Sequence, residues 1–166
     1  NSNIFISDSF GNLRYEGDFN HFFSVLNLSG HYFDPRVIYD PLDNRFILVV
    51  LSGNTPSNST VVVAFSETSN PNGVWWSYTF PGNPLDDDSW FDFPKIGVST
   101  TELYVSGNLY HKDDGFNQSV IYQIEKKNGY HGEELNWIRW DNIRDSNDKT
   151  DFNLVPISHG FKNSIE

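Results

Sequence analysis

Four aspartates crowd into ten residues at Asn83–Asp92, NPLDDDSWFD. Adjacent carboxylates repel one another unless water or a cation screens them. Asp86, Asp87, Asp88 and Asp92 are therefore candidate ligands for Ca²⁺, which takes about six to eight oxygens. Their spacing does not fit an EF-hand loop, and a solvated connection is the competing reading. The stretch Asp145–Asp151, DSNDKTD, also alternates Asp and Asn, but Lys149 stands where a ligand should be and argues against a site.

Asp34 and Asp92 offer a different chemistry. Each lies just ahead of a proline, Pro35 or Pro94. Two carboxylates about 5–10 Å apart can serve as the acid and base of glycoside hydrolysis; the competing reading is that each caps a turn. Trp90, beside the acidic run, is the tryptophan best placed for a surface contact such as stacking on a sugar. Trp75, Trp76, Trp137 and Trp140 read mainly as packing residues. His159, in Ser-His-Gly, is a second candidate for ligand binding, against the commoner role of a turn or packing histidine. Arg36 and Lys95 each follow a proline and are expected to pair with Asp34 or Asp92. No Ser/His/Asp order, glycine-rich phosphate loop or His-x-x-x-His pair occurs.

Composition narrows the classes. The 166 residues contain no Cys, which excludes disulfides, thiolate metal sites and a cysteine nucleophile together. A net charge of −11 repels nucleic acid and anionic membranes. No stretch is long and apolar enough to cross a bilayer. The chain starts at Asn1 and has no Met, so a removed leader or a longer N-terminal portion is expected. Aromatics make up 16% of residues, which suits a sheet core or a stacking surface. Three Asn-x-Ser/Thr sequons, at Asn27, Asn58 and Asn117, carry glycans only if the source glycosylates its exports.

The elements that would position these residues read as strands. Short runs rich in Val, Ile, Phe, Tyr and Trp recur between clusters of Asn, Asp, Ser, Gly and Pro. The expected strands are 3–7, 13–16, 36–40, 45–51, 60–67, 75–80, 95–99, 102–108, 119–126 and 135–140. Asp18–Phe23 is the one expected helical turn, opened by an Asp cap. Four successive matches then link the two halves. Pro35 and Pro94 are 59 apart, Phe46 and Leu103 57, Ser59 and Ser119 60, and Phe80 and Trp140 60. A repeat of four antiparallel strands at this period is the pattern of a propeller blade.

The expected fold is thus all-β, a propeller fragment of about two four-stranded blades with partial flanking blades. Residues 1–32 would be the end of a preceding blade or N-terminal strands and linker, and 33–81 a blade. An acidic connection and second blade would fill 82–140, and a connection with the first strand of a third 141–166, with Pro156 placed 62 after Pro94. Because propellers close with about four to eight blades, further blades of the same protein, or other copies, are expected to complete the ring.

Several segments also resemble a group of secreted bacterial propeller proteins. They are ISDSFGNLRYEGDFNHFF, DPRVIYDPLDNRFIL, VAFSETSNPNGVWWSYTF, WFDFPKIGVSTTELYVSGNLY and VPISHG. In that group Asp-Pro-x-Val-x-Tyr-Asp, Ser-x-Thr-x-x-Pro-x-Gly, Asp-Tyr-Pro-x-x-Gly-Val and Pro-Ala-His follow one another. Phe93 here replaces the usual Tyr, and Pro-Ile-Ser-His departs from Pro-Ala-His. The resemblance implies export, often with display on the cell surface beside other modules. The expected function is an extracellular binding, adhesion or scaffold module contacting a glycan or surface protein. A secreted glycoside hydrolase using Asp34 and Asp92 is the alternative.

Overall fold

A computed structural model describes residues 3–158 and is all-β with antiparallel sheets. The chain opens with a hairpin of β1 (Asn3–Ser7) and β2 (Leu13–Asp18), followed by α1 (Phe19–Phe22). Asp18 caps this helical turn by accepting a hydrogen bond from the His21 backbone N–H at 2.7 Å. A first sheet follows in the order β3 (Tyr32–Asp40), β4 (Arg45–Ser52), β5 (Thr60–Ser66), β6 (Trp75–Pro81). A second is built from β7 (Ser89–Val98), β8 (Glu102–His111), β9 (Gly115–Glu125) and β10 (Trp137–Trp140), with α2 (Lys126–His131) between its last two strands. Each sheet is a meander whose strands pair in chain order. The described residues close neither a ring nor a barrel.

The sequences of β4, RFILVVLS, and β5, TVVVAFS, are apolar at successive positions rather than alternate ones, and both strands are buried on both faces. Two layers accomplish this. Ile47, Val49, Leu51, Val61, Val63 and Phe65 face the second sheet and meet Leu103, Val105, Val120, Tyr122 and Ile124 there. Leu48, Val50, Val62 and Ala64 face the other way, against Phe19, Phe23 and Tyr32 of the N-terminal layer. Each fully buried aliphatic side chain contributes about 1.5–3 kcal/mol. Trp137 closes one margin of the inter-sheet core, edge-on to Phe80 at 5.3 Å and to Tyr122 at 5.6 Å.

β3 and β7, the first strands of the two sheets, lie against each other. Both carry a register shift at their proline, between Phe33 and Arg36 and between Asp92 and Lys95. Pro35 and Pro94 read as boundaries in the sequence because proline cannot donate to a ladder. The strands pass through them as bulges and begin upstream, at Tyr32 and Ser89. Left-handed backbone marks the bulges, with φ of 48° at Asp34 and 55° at Phe93. Asn153 has φ of 65°, 60 residues after Phe93. Pro156 packs on Gly97. Residues 154–158 do not form a strand, but they lie on the second sheet. The Ser106 hydroxyl donates to the Leu154 carbonyl at 2.6 Å, and the Val98 N–H donates to Ser158 Oγ at 3.3 Å.

One buried polar cluster crosses between the sheets. Lys126 and Asp40, each 1% exposed, form an ion pair. Lys126 also pairs with Asp43 at 3.2 Å and donates to the Ser99 carbonyl at 2.8 Å, and Tyr130 donates to Asp40 at 2.7 Å. Burial alone would raise the Asp40 pKa. The hydrogen bonds from Lys126 and Tyr130, the Lys126 charge and the Leu42 N–H outweigh it and hold the carboxyl below its usual value. The strand expected to run to Lys126 stops at Glu125, and the chain turns there into α2, whose Gly129 packs against the Phe65 ring. Lys126→Met should destabilise the protein by about 3–5 kcal/mol at pH 7, because it strands a buried carboxylate, and the Lys126→Met, Asp40→Asn double variant should recover part of the loss. Since the folded pKa of Asp40 lies below 3.8, its contribution is complete above that pH and is lost as the pH falls through the folded value. Urea titrations of parent and Asp40→Asn from pH 2 to pH 7 measure this. An identical pH dependence in the two would refute it.

Candidate functional site

Strand alternation decides what faces the open side of β7. Phe91 points into the inter-sheet core, fully buried, so Trp90 and Asp92 share the opposite face. They meet His31, Phe33, Gly53 and Asn54 of the first sheet around a cleft of about 340 Å³. Gly53 has φ of 74°, and its N–H donates to the His31 carbonyl at 3.2 Å. A Cβ there would lie 2.1 Å from the Asn58 carbonyl oxygen, so the sharp turn behind the cleft requires glycine. Phe33 also walls a second cleft of about 340 Å³, with Asp34, Pro35 and Arg36. Phe33 is thus common to the linings of both openings.

Asp34 and Asp92 come close enough for their charges to interact. Burial pushes the Asp92 carboxyl above its usual range. The Asp34 charge adds to the rise, against a hydrogen bond from the Phe93 N–H at 2.8 Å. Lys95 shows the mirror effect, its pKa lowered by burial and then by Arg36. The expected pairing of Arg36 and Lys95 with Asp34 or Asp92 is not formed. Among the described residues no ion pair involves any of the four. Arg36 instead donates to the Pro35 carbonyl at 3.0 Å, and Lys95 hydrogen-bonds the Asn153 side chain. Stacking β3 on β7 at the bulge sets acid beside acid and base beside base.

The acidic connection folds differently from a cation loop. Asp87 Oδ1 accepts from the Ser89 N–H at 2.9 Å and from the Ser89 hydroxyl, while Oδ2 lies 3.4 Å from Asn117 Nδ2 and 3.9 Å from His111 Nε2. Asp86 sits at φ 55°, and Asp86 and Asp88 point to solvent. Among the described residues no three His, Asp or Glu side chains gather where they could hold a metal ion, so Asp86, Asp87, Asp88 and Asp92 do not converge. His159 lies outside the described residues. Asp145 accepts from the Asn147 and Lys149 N–H groups and serves a turn. The sequence reading missed His31, Asn54 and Phe33. Gly53 follows β4, and its N–H bond to the His31 carbonyl carries the β3–β4 pairing one step past the strand ends.

Comparison with known proteins finds no match. No family model, curated protein or solved structure corresponds to the chain. Among the described residues no helix is long and apolar enough to cross a membrane.

An acid whose folded pKa exceeds its unfolded value costs stability once it ionises, so Asp92 is held against the preference of the fold. Asp92→Asn keeps an oxygen for the Phe93 N–H and removes the charge. It should raise the melting temperature by about 1–3 °C at pH 7 and leave it unchanged near pH 3, where the parent carboxyl is protonated in both states. Thermal melts at the two pH values check this, and a fall at pH 7 would contradict it.

Proposed function

We propose that the protein is part of an exported β-propeller that binds glycans in the inter-sheet cleft, as an adhesion or scaffold module on the cell surface. The observation that carries the binding reading is the meeting of Trp90 and Asp92 with His31 and Asn54 in one cleft. An aromatic face beside a few convergent polar groups is the usual composition of a small-ligand site. The propeller reading is supported by two consecutive four-stranded meanders, by first strands in contact, and by the bulge that recurs at Asp34 and Phe93. Tyr104 and Ile121 of the second sheet, with the returning segment at 154–157, line an open groove of about 410 Å³, where a third blade would pack. The resemblance to secreted propellers supports export.

The hydrolase reading keeps one specific support, the influence of Asp34 on the ionisation of Asp92. Burial and the neighbouring Asp34 charge both favour the protonated form of Asp92, the direction a general acid needs. Reducing-sugar release from a polysaccharide panel, compared between the parent and Asp92→Asn, decides between the readings. Activity that disappears in the variant makes the cleft an active site, and no release by either leaves binding alone.

Binding is tested on a glycan array followed by calorimetry. Trp90→Ala should weaken the best ligand by at least about tenfold, the scale of one aromatic contact, while the thermal melt stays close to the parent. An array with no ligand, or undiminished binding by Trp90→Ala, would remove the glycan reading of this cleft.

A further inference from the structure

Resting on the glycan reading above, we propose that the two clefts lined by Phe33 form one two-part site, and that its ligand is an uncharged oligosaccharide of at least two sugar rings. The first part is the Trp90 cleft, with His31, Asn54 and Asp92. The second holds Asp34 and Arg36, and Phe33 is the common wall. Each cavity, at about 340 Å³, lies at the small end of ligand sites, which span roughly 300–1,000 Å³. A saccharide that occupies both clefts has to span Phe33, which lines each of them.

The chemistry of the second part selects hydroxyls. Asp34 brings an acceptor-only carboxylate and Arg36 a planar set of donors, two positions apart on the same bulge and in no ion pair with each other among the described residues. Neighbouring hydroxyls on a sugar ring both donate and accept, so they satisfy the two groups at once. Charge selects against acidic sugars. Asp34 and Asp92 balance Arg36 and Lys95 locally, leaving no net positive field to hold a carboxylate, and the chain as a whole carries −11.

Backbone strain points to the same place independently. Phe93 is half exposed at 49% yet holds a left-handed φ of 55°. A bulky side chain in that region is strained, and burial of this one does little to offset it. Such strain persists where the surrounding structure imposes it, commonly at ligand sites. The same bulge sets Asp92 beside Asp34.

The test is isothermal titration of the full chain with glucose, xylose and galactose, their β-1,4-linked di- and tetrasaccharides, and galacturonate oligomers of matched length. The parent should bind a neutral di- or tetrasaccharide at least tenfold more tightly than its monosaccharide, and more tightly than any galacturonate oligomer. Arg36→Gln should lose the gain with length but keep monosaccharide binding, while Trp90→Ala should lose both. Thermal melts of the variants confirm folding. Equal affinity for one ring and several, or preference for galacturonate, overturns this proposal and leaves the glycan reading standing. No binding to any saccharide overturns the glycan reading and the proposal with it.

Discussion

A four-stranded sheet whose central strands are apolar on both faces cannot stand alone in water. β4 and β5 meet that condition along nearly their whole length, and the architecture follows from it. One face is covered by α1 and the N-terminal hairpin, the other by the second sheet. The second sheet then inherits the same problem on its far side, where the chain returns as residues 153–158 and covers only part of the surface. The layers therefore form a progression in which each sheet supplies one face of its neighbour's core. That is the physical logic of stacked repeat architectures.

The contact between the first strands has an electrostatic consequence. Where they touch, Asp34 lies near Asp92 and Arg36 near Lys95, so like charges are neighbours. Other charged groups are paired, as Arg14 is with Asp8 at 2.7 Å and Arg139 with Asp141 at 2.7 Å. Asp92, whose pKa is raised, lines one of the clefts, and a perturbed acid in a cleft is a candidate functional group.

Much of the fold was legible in the sequence. All ten strands fall where alternation and apolar runs placed them, because turn-forming residues punctuate them sharply, as at Pro41–Asn44 between β3 and β4. The starts of β3 and β7 were hidden because proline marks a boundary in sequence while a bulge carries the strand through it. Helix α2 was hidden because KKNGYH has neither period nor strong propensity, and tertiary contacts of Gly129 and Tyr130 hold it. Residue type singles out Trp90, Asp34 and Asp92, which line the clefts. It does not single out their cleft partners His31 and Asn54, because that contact depends on a turn at Gly53 and on the meeting of two sheets, neither of which leaves a local pattern.

Two polar contacts lie toward opposite ends of β3, one with α2 and one with β7, and their contrast separates structural from functional roles. Asp34 and Asp40 lie on one strand, separated by about 20 Å of extended chain. At the Asp40 end the carboxylate is buried, paired with Lys126 and hydrogen-bonded by Tyr130, so its partners are complete and the site is closed to ligands. At the Asp34 end the carboxylates face each other beside open clefts, and their natural counter-charges turn to backbone and amide oxygens instead. The same bulge that strains Phe93 keeps those partners apart. A fold selected only for stability would gain by closing the second contact as it closes the first. Retaining it open, strained and unpaired fits a surface kept for something outside the chain.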